Sequence, residues 1–124
     1  MKKLTKKVIE RLVFIASDFY RVDKSEVALL NEAGYFEFHD QINENEIAEI
    51  LKMHPHLIAE WLRFSEDSRS SFRWGFGKGN NGDYCVGHWP PGKEFEEIIT
   101  PDGFYACAAF IKRHVESIRI LFKK

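Results

Sequence analysis

The sequence predicts an α+β fold: N-terminal helices, a small antiparallel β-meander over about residues 72–99, and a long C-terminal helix over about residues 101–122, with a single layer of helices packed on the sheet. Three observations carry this expectation. Apolar residues recur at steps of three and four up to about residue 65 and again after residue 101. Between residues 72 and 89 the step changes to two, and a Gly/Asn-rich segment splits that region into two runs. No repeat, low-complexity tract or linker divides the 124 residues, so residues 1–124 read as one domain.

Leu4, Val8, Leu12, Ile15, Ala16 and Phe19 give residues 4–20 one apolar helical face. Asp23 followed by Glu26 has the form of a capping box, starting a second helix that Gly34 ends. Asn43 with Glu46 repeats the start signal for Ile47 to Met53. Pro55 breaks that pattern and suits the first turn of a further helix, ending near Ser65, on which Leu57 with Trp61 and Ile58 with Leu62 are i,i+4 pairs.

In FRWGFG, Phe72, Trp74 and Phe76 share one strand face, and DYCVGHW is a second β-type run. Between them, Asn81-Gly82 supplies the positive φ angles of a hairpin turn. A third strand over Glu94 to Ile99 follows PPG and completes the meander. Thr100-Pro101 is a cap and first-turn pair for the last helix, whose stripe runs Phe104, Ala108, Ile111, Val115, Ile118, Phe122.

A content of 44% hydrophobic and 30% charged residues excludes a disordered chain. Eleven Phe and three Trp supply the core. Lysines precede an apolar stretch at the N-terminus, but Glu10 and Arg11 interrupt it and Leu12 to Ala16 is too short for a secretory signal. No apolar run approaches the ~18 residues of a membrane span. Cys85 and Cys107 are too few for a disulfide framework and read as free thiols in a reducing cytosol. A soluble, cytoplasmic protein with no membrane partner is expected.

The chemical motifs weaken under their own geometry. Gly77-x-Gly79-x-x-Gly82 spells a dinucleotide fingerprint, yet that mechanism needs a helix N-terminus after the glycines, and a β-type run follows instead. Cys85-x-x-His88 has metal-site spacing, but strand residues three apart point to opposite faces. His54 and His56 flank Pro55 without companion ligands, so no metal or cofactor is expected. No nucleophile elbow surrounds Ser65, Ser68, Ser70 or Ser71, and adjacent His39-Asp40 cannot orient each other as in a triad. No enzyme is expected; a site assembled in space from His39, His88 and a distant carboxylate stays open.

Charge is more informative. The chain carries a net −1, but residues 1–24 hold +4, residues 25–51 hold −7 with no Lys or Arg, and the rest hold +2. A long single-sign run repels itself, a cost that a basic partner would offset. The other reading is a solvated helical face whose counter-charges come from elsewhere, for instance the basic N-terminal helix. Tyr35, Phe36 and Phe38 stand among Glu37, His39 and Asp40, the mixture an interface to a basic surface uses. Direct nucleic-acid binding is not expected, because no basic stripe interleaved with aromatics occurs.

Four segments carry a family resemblance: Trp61-Leu62-x-Phe64-Ser65-Glu66-Asp67-Ser68-Arg69, Trp74-Gly75-Phe76, Tyr84-Cys85-Val86-Gly87, and Ala106-Cys107-Ala108-Ala109-Phe110-Ile111. Together, over residues 57–111 and under half of the chain, they resemble small immunity proteins of bacterial contact-dependent growth inhibition and related polymorphic toxin systems. The resemblance implies a non-catalytic cytoplasmic protein that binds and neutralises the C-terminal toxin domain of a large exported protein, typically a nuclease with a basic cleft. It passes down no individual contact residues. The expected partner-binding residues are therefore read from the chain itself: Tyr35, Glu37, Phe38, Asp40, Glu44 and Glu46, with Glu66, Asp67 and Arg69 in the polar segment. The competing expectations are a ligand-binding domain or enzyme using Cys85 and His88 beside the Gly-rich hairpin, and an adaptor subunit of an unrelated complex.

Overall fold

The computed structural model describes residues 6–66, 74–88 and 97–121. Among the described residues, seven α-helices and one three-stranded antiparallel sheet, in the order β1-β2-β3, form an α+β fold. The expected parts at Leu4, Phe72, Glu94 and Phe122 lie outside the described residues.

The first apolar stretch is two helices, α1 (Lys6–Val13) and α2 (Ile15–Arg21), broken at Phe14. Periodicity alone reads them as one because the ladder nearly continues: Phe14 N–H donates to Glu10 C=O at 3.1 Å and Asp18 N–H to Phe14 C=O at 2.9 Å. What marks the break is the Val13 carbonyl, which accepts the indole N–H of Trp61 at 2.8 Å. A buried indole needs an acceptor, and a helix interrupted at this point supplies one.

The helix α3 (Glu26–Ala33) starts two residues later than Asp23 suggested. Ser25, in extended conformation, is its cap and accepts Ala28 N–H at 3.1 Å. Gly34 closes it at φ +90°, a conformation that costs any other residue strain. A single turn, α4 (Tyr35–Phe38), and a 3₁₀ turn at His39–Gln41 follow. The next helix, α5 (Glu44–Met53), has the expected capping box: Asn43 Oδ1 accepts Glu46 N–H at 2.9 Å, and Glu46 Oε1 accepts Asn43 N–H at 3.3 Å. Pro55 lies in the turn before α6 (Leu57–Glu66) rather than inside it; Leu57 N–H reaches back to His54 C=O at 3.0 Å.

The strands are β1 (Trp74–Lys78), β2 (Tyr84–His88) and β3 (Ile98–Thr100), with Phe76 opposite Val86 and Cys85 opposite Ile99. Trp74, Phe76 and Val86 are buried on one face. The alternate positions are Gly75, Gly77, Cys85, Gly87 and Ile99. In the hairpin only Gly82 has positive φ, not Asn81 as well: Gly82 N–H donates to Gly79 C=O and Gly79 N–H to Asp83 C=O, at 3.1 and 2.8 Å. One left-handed residue after a turn is enough to match the strand twist. At the other edge of β1, Phe76 N–H donates to Ser65 Oγ at 2.8 Å, so α6 covers part of that edge.

The last helix, α7 (Gly103–Leu121), is capped by Asp102, whose Oδ1 accepts Phe104 and Tyr105 N–H at 3.0 and 3.1 Å. Thr100, expected as the cap, ends β3 and accepts Asp102 N–H at 3.1 Å instead. Ala108, Ile111, Val115 and Ile118 are buried as the stripe requires. So are Ala106, Cys107, Ala109, Phe110 and His114, which closes residues 106–111 in on all sides. The sheet packs on α6 and α7, α5 packs on the other side of α7, and α1 to α3 pack behind α5 and α6. The helical part is thus deeper than one layer, because a helix buried all round needs neighbours on both sides. Its small residues 106–109 let those neighbours approach closely.

Aromatic rings join the layers. Phe110 stacks on Phe76 of the sheet and on His114, with centroids 5.6 and 5.3 Å apart, while Trp61 meets Phe64 edge-on at 5.2 Å. Trp61→Phe would keep an aromatic ring but leave the Val13 carbonyl without its donor. The expected loss is about 1–3 kcal/mol, seen as a lower urea midpoint at unchanged slope. Equal stability would show that the indole hydrogen bond is not what anchors α1 and α2.

Candidate functional site

The acid–aromatic segment at residues 35–46 folds into a corner against the C-terminal half of α7. The left-handed Gly34 turns the chain so that Tyr35 points inward, where it is fully buried; Phe38 is 6% exposed. Both aromatics, expected at a contact surface, therefore belong to the core. Periodicity could not tell this, because a four-residue helix is too short to show a face.

Tyr35 organises a polar network. Its hydroxyl donates to the Glu116 carboxylate and accepts from Lys112 Nζ at 3.1 Å. Lys112 Nζ also donates to His39 C=O at 2.6 Å and lies 5.1 Å from the Tyr35 ring centroid. Arg119 binds Glu116 through both nitrogens, Nε at 2.9 Å and Nη2 at 3.1 Å. His39 Nδ1 stands 4.0 Å from Glu116 Oε2.

The titrations follow from this packing. Burial, then the Glu116 hydrogen bond and charge, push the Tyr35 hydroxyl far above its ordinary range. Burial pushes Lys112 down, against the pull of Glu116, Glu44 and Asp40. Burial opposes ionisation of Glu116, but hydrogen bonds from Arg119 and Tyr35 and the charges of Lys112 and Arg119 hold it below the usual carboxylate range.

The seven acids of residues 25–51 divide into two sets. Glu26 binds His114 Nε2 at 2.8 Å, Glu32 binds Lys24 at 2.8 Å, Glu46 serves the α5 cap and Glu49 reaches Lys52 at 3.3 Å. The other set is Glu37 and Asp40, both exposed, and half-buried Glu44. Asp40 and Glu44 lie close enough to act on the Lys112 charge. Counter-charge for the acid run thus comes at least from Lys112 and Arg119 of α7, from Lys24 and from Lys52. Glu116, Asp40 and Glu44 act on Lys112, and Glu116 and Asp40 on Arg119, so three carboxylates face two cations and the corner keeps a negative excess.

Of the remaining expected contacts, Glu66 is exposed at the end of α6, and Asp67 and Arg69 lie outside the described residues. Cys85 faces Gly77 and Ile99, whereas His88 is on the opposite face of β2 beside Trp74, ring centroids 4.9 Å apart. They cannot share one ligand from those positions. Both cysteines are free, and burial pushes the Cys107 thiol up. Among the described residues no group of three or more His, Cys, Asp or Glu is placed to hold a metal ion, and no helix is long and apolar enough to cross a membrane.

Sequence reading missed two features. His114 is 1% exposed, pairs with Glu26 across 88 positions and leaves Nδ1 without a partner. An open groove of about 360 Å³ runs between α1, α2 and α3, floored by Ile15, Leu29 and Ala33, with Asp18 and Glu32 on its rim already bound by Arg21 and Lys24. The first has no sequence signal because its partner is 88 positions away, and the second because periodicity does not give the angles between consecutive helices. Compared with protein-family models, curated proteins and solved structures, the chain matches none.

The network makes stability pH-dependent at both ends. Glu116 has a lowered folded value, so its contribution is present above the ordinary carboxylate range and lost as pH falls through the folded value. Tyr35 has a raised value, so its contribution is present below about 10 and lost as pH rises beyond it. Glu116→Gln should lower stability at neutral pH and flatten the acid decline, and Tyr35→Phe should flatten the alkaline one. Denaturant titrations across pH read both; unchanged slopes would remove the network from the account.

Proposed function

We propose that this chain is a non-catalytic, immunity-type protein that binds a basic toxin domain in the bacterial cytoplasm and neutralises it by covering its active site. The observation that carries this reading is the acidic corner at residues 35–46. Glu37 and Asp40 stand on a backbone segment that Tyr35, Lys112 and Glu116 tie to α7, with Glu44 at the start of α5, so the positions that carry the carboxylates are fixed before any partner arrives. Preorganised charge raises association rate and specificity without an ordering cost at binding. With Tyr35 and Phe38 in the core, the corner acts through charge more than aromatic burial, and apolar contact area has to come from neighbouring surface.

A toxin inhibitor needs nanomolar affinity or better, about −12 kcal/mol, from roughly 800 Å² per partner. Three carboxylates cover only part of that. Their main effect is on encounter with a basic cleft of the kind that binds nucleic acid. Cys85 and His88, on opposite faces of β2, give the enzyme alternative no common site.

The test is co-expression with the C-terminal domain of a large exported protein encoded beside this chain. That domain alone should arrest growth, and this chain should restore it and co-purify with it. The triple variant Glu37→Lys, Asp40→Lys, Glu44→Lys should slow association at least tenfold at low salt and flatten its salt dependence. Survival of cells carrying the domain alone would sink the reading. Unchanged association in the triple variant would leave the corner a solvated face.

A further inference from the structure

We propose that Asn81 is a site of spontaneous covalent modification, at which the side-chain amide is converted through a cyclic imide to aspartate and isoaspartate. Asn81 and Gly82 are both exposed at the tip of the β1–β2 hairpin. The attacking atom is the backbone nitrogen of Gly82. Glycine places no Cβ beside it, and apart from its two chain neighbours no heavy atom lies within 4 Å of where one would stand, so no other residue crowds the approach.

The electrophile is already polarised. Asn81 Oδ1 accepts the Asp83 N–H at 3.1 Å, at the oxygen where negative charge develops when nitrogen adds to Cγ. Asn81 Nδ2 lies 3.4 Å from Asp83 Oδ2, so the nitrogen that must leave faces a carboxylate. Gly79 leaves room for this side chain; a Cβ there would lie 3.1 Å from Oδ1. One hydrogen bond restrains the nucleophile, from Gly82 N–H to Gly79 C=O at 3.1 Å, and an exposed turn opens such a bond by local fraying.

In the first step Gly82 nitrogen gives its proton to a solvent base and bonds to Asn81 Cγ, and the carbonyl pair moves onto Oδ1. Collapse restores the carbonyl and breaks Cγ–Nδ2; the nitrogen takes a proton and leaves as ammonia. Water then opens the imide at Cγ, giving aspartate, or at the Asn81 main-chain carbonyl, giving isoaspartate. One water is consumed for each ammonia released. Either product sets a second carboxylate beside Asp83, and isoaspartate lengthens the backbone in a turn closed by Gly79 N–H to Asp83 C=O at 2.8 Å. Both changes loosen the turn end of β1 and β2.

Asn80 is an internal control: it is exposed in the same turn but is followed by Asn81, whose Cβ hinders the equivalent ring closure. The folded protein is incubated at mildly alkaline pH, and the tryptic peptide beginning at Gly79 is followed by mass spectrometry. The expected result is an amide-to-acid mass change at Asn81, split between aspartate and isoaspartate, with Asn80 unchanged. Gly82→Ala should slow the conversion. Because φ +90° strains alanine, the comparison of Asn81 with Asn80 in one parent chain decides the matter independently of that variant. Conversion only after denaturation, or equal conversion of Asn80 and Asn81, overturns the proposal.

Discussion

Enclosure of α7 is the constraint from which the rest of the architecture follows. Residues 106–111 are buried without interruption, so no side of that stretch faces water. A helix in that position must have neighbours all round it. The sheet takes one side, α6 the flank and α5 the other side. The run of small residues through Ala106, Cys107, Ala108 and Ala109 allows close approach, and Phe110 fills the space between Phe76 and Trp61. Remove the helix and neither the three-stranded sheet nor the N-terminal helices keep a common core.

Past Ile111 the same helix changes character. Lys112, His114, Glu116 and Arg119 meet polar groups from α3 and from the 35–41 segment. Partly buried charge is weak evidence of stabilisation, since desolvation offsets much of the attraction. It does specify position: the Tyr35 hydroxyl and the His39 carbonyl reach Lys112 together in only one arrangement of the corner. That is why a four-residue helix and a 3₁₀ turn, which have little stability of their own, hold a defined place.

This arrangement alters the meaning of the acidic run. Seven acids without a basic residue look, in one dimension, like a surface awaiting a partner. In three dimensions Glu26, Glu32 and Glu49 pair with His114, Lys24 and Lys52, Glu46 caps α5, and Asp40 and Glu44 act on the Lys112 charge. The corner at Glu37, Asp40 and Glu44 is narrower than the run. A smaller patch contributes less to affinity and more to orientation and encounter rate.

The sequence by itself determined the fold class, the hairpin, and the Gly34 and Asn43–Glu46 signals, because these rest on local periodicity and on backbone chemistry within a few residues. Where nearby residues competed for one local role it was off by two positions: Ser25 rather than Asp23, and Asp102 rather than Thr100, make the caps. Only the tertiary structure decided that Tyr35 and Phe38 are core, that Glu26 serves His114, and that Val13 breaks its helix to receive Trp61. Each of those depends on a partner 48 to 88 positions away, or on burial that a single short turn cannot express. Local patterns record what a residue can do; packing decides which of those options is taken.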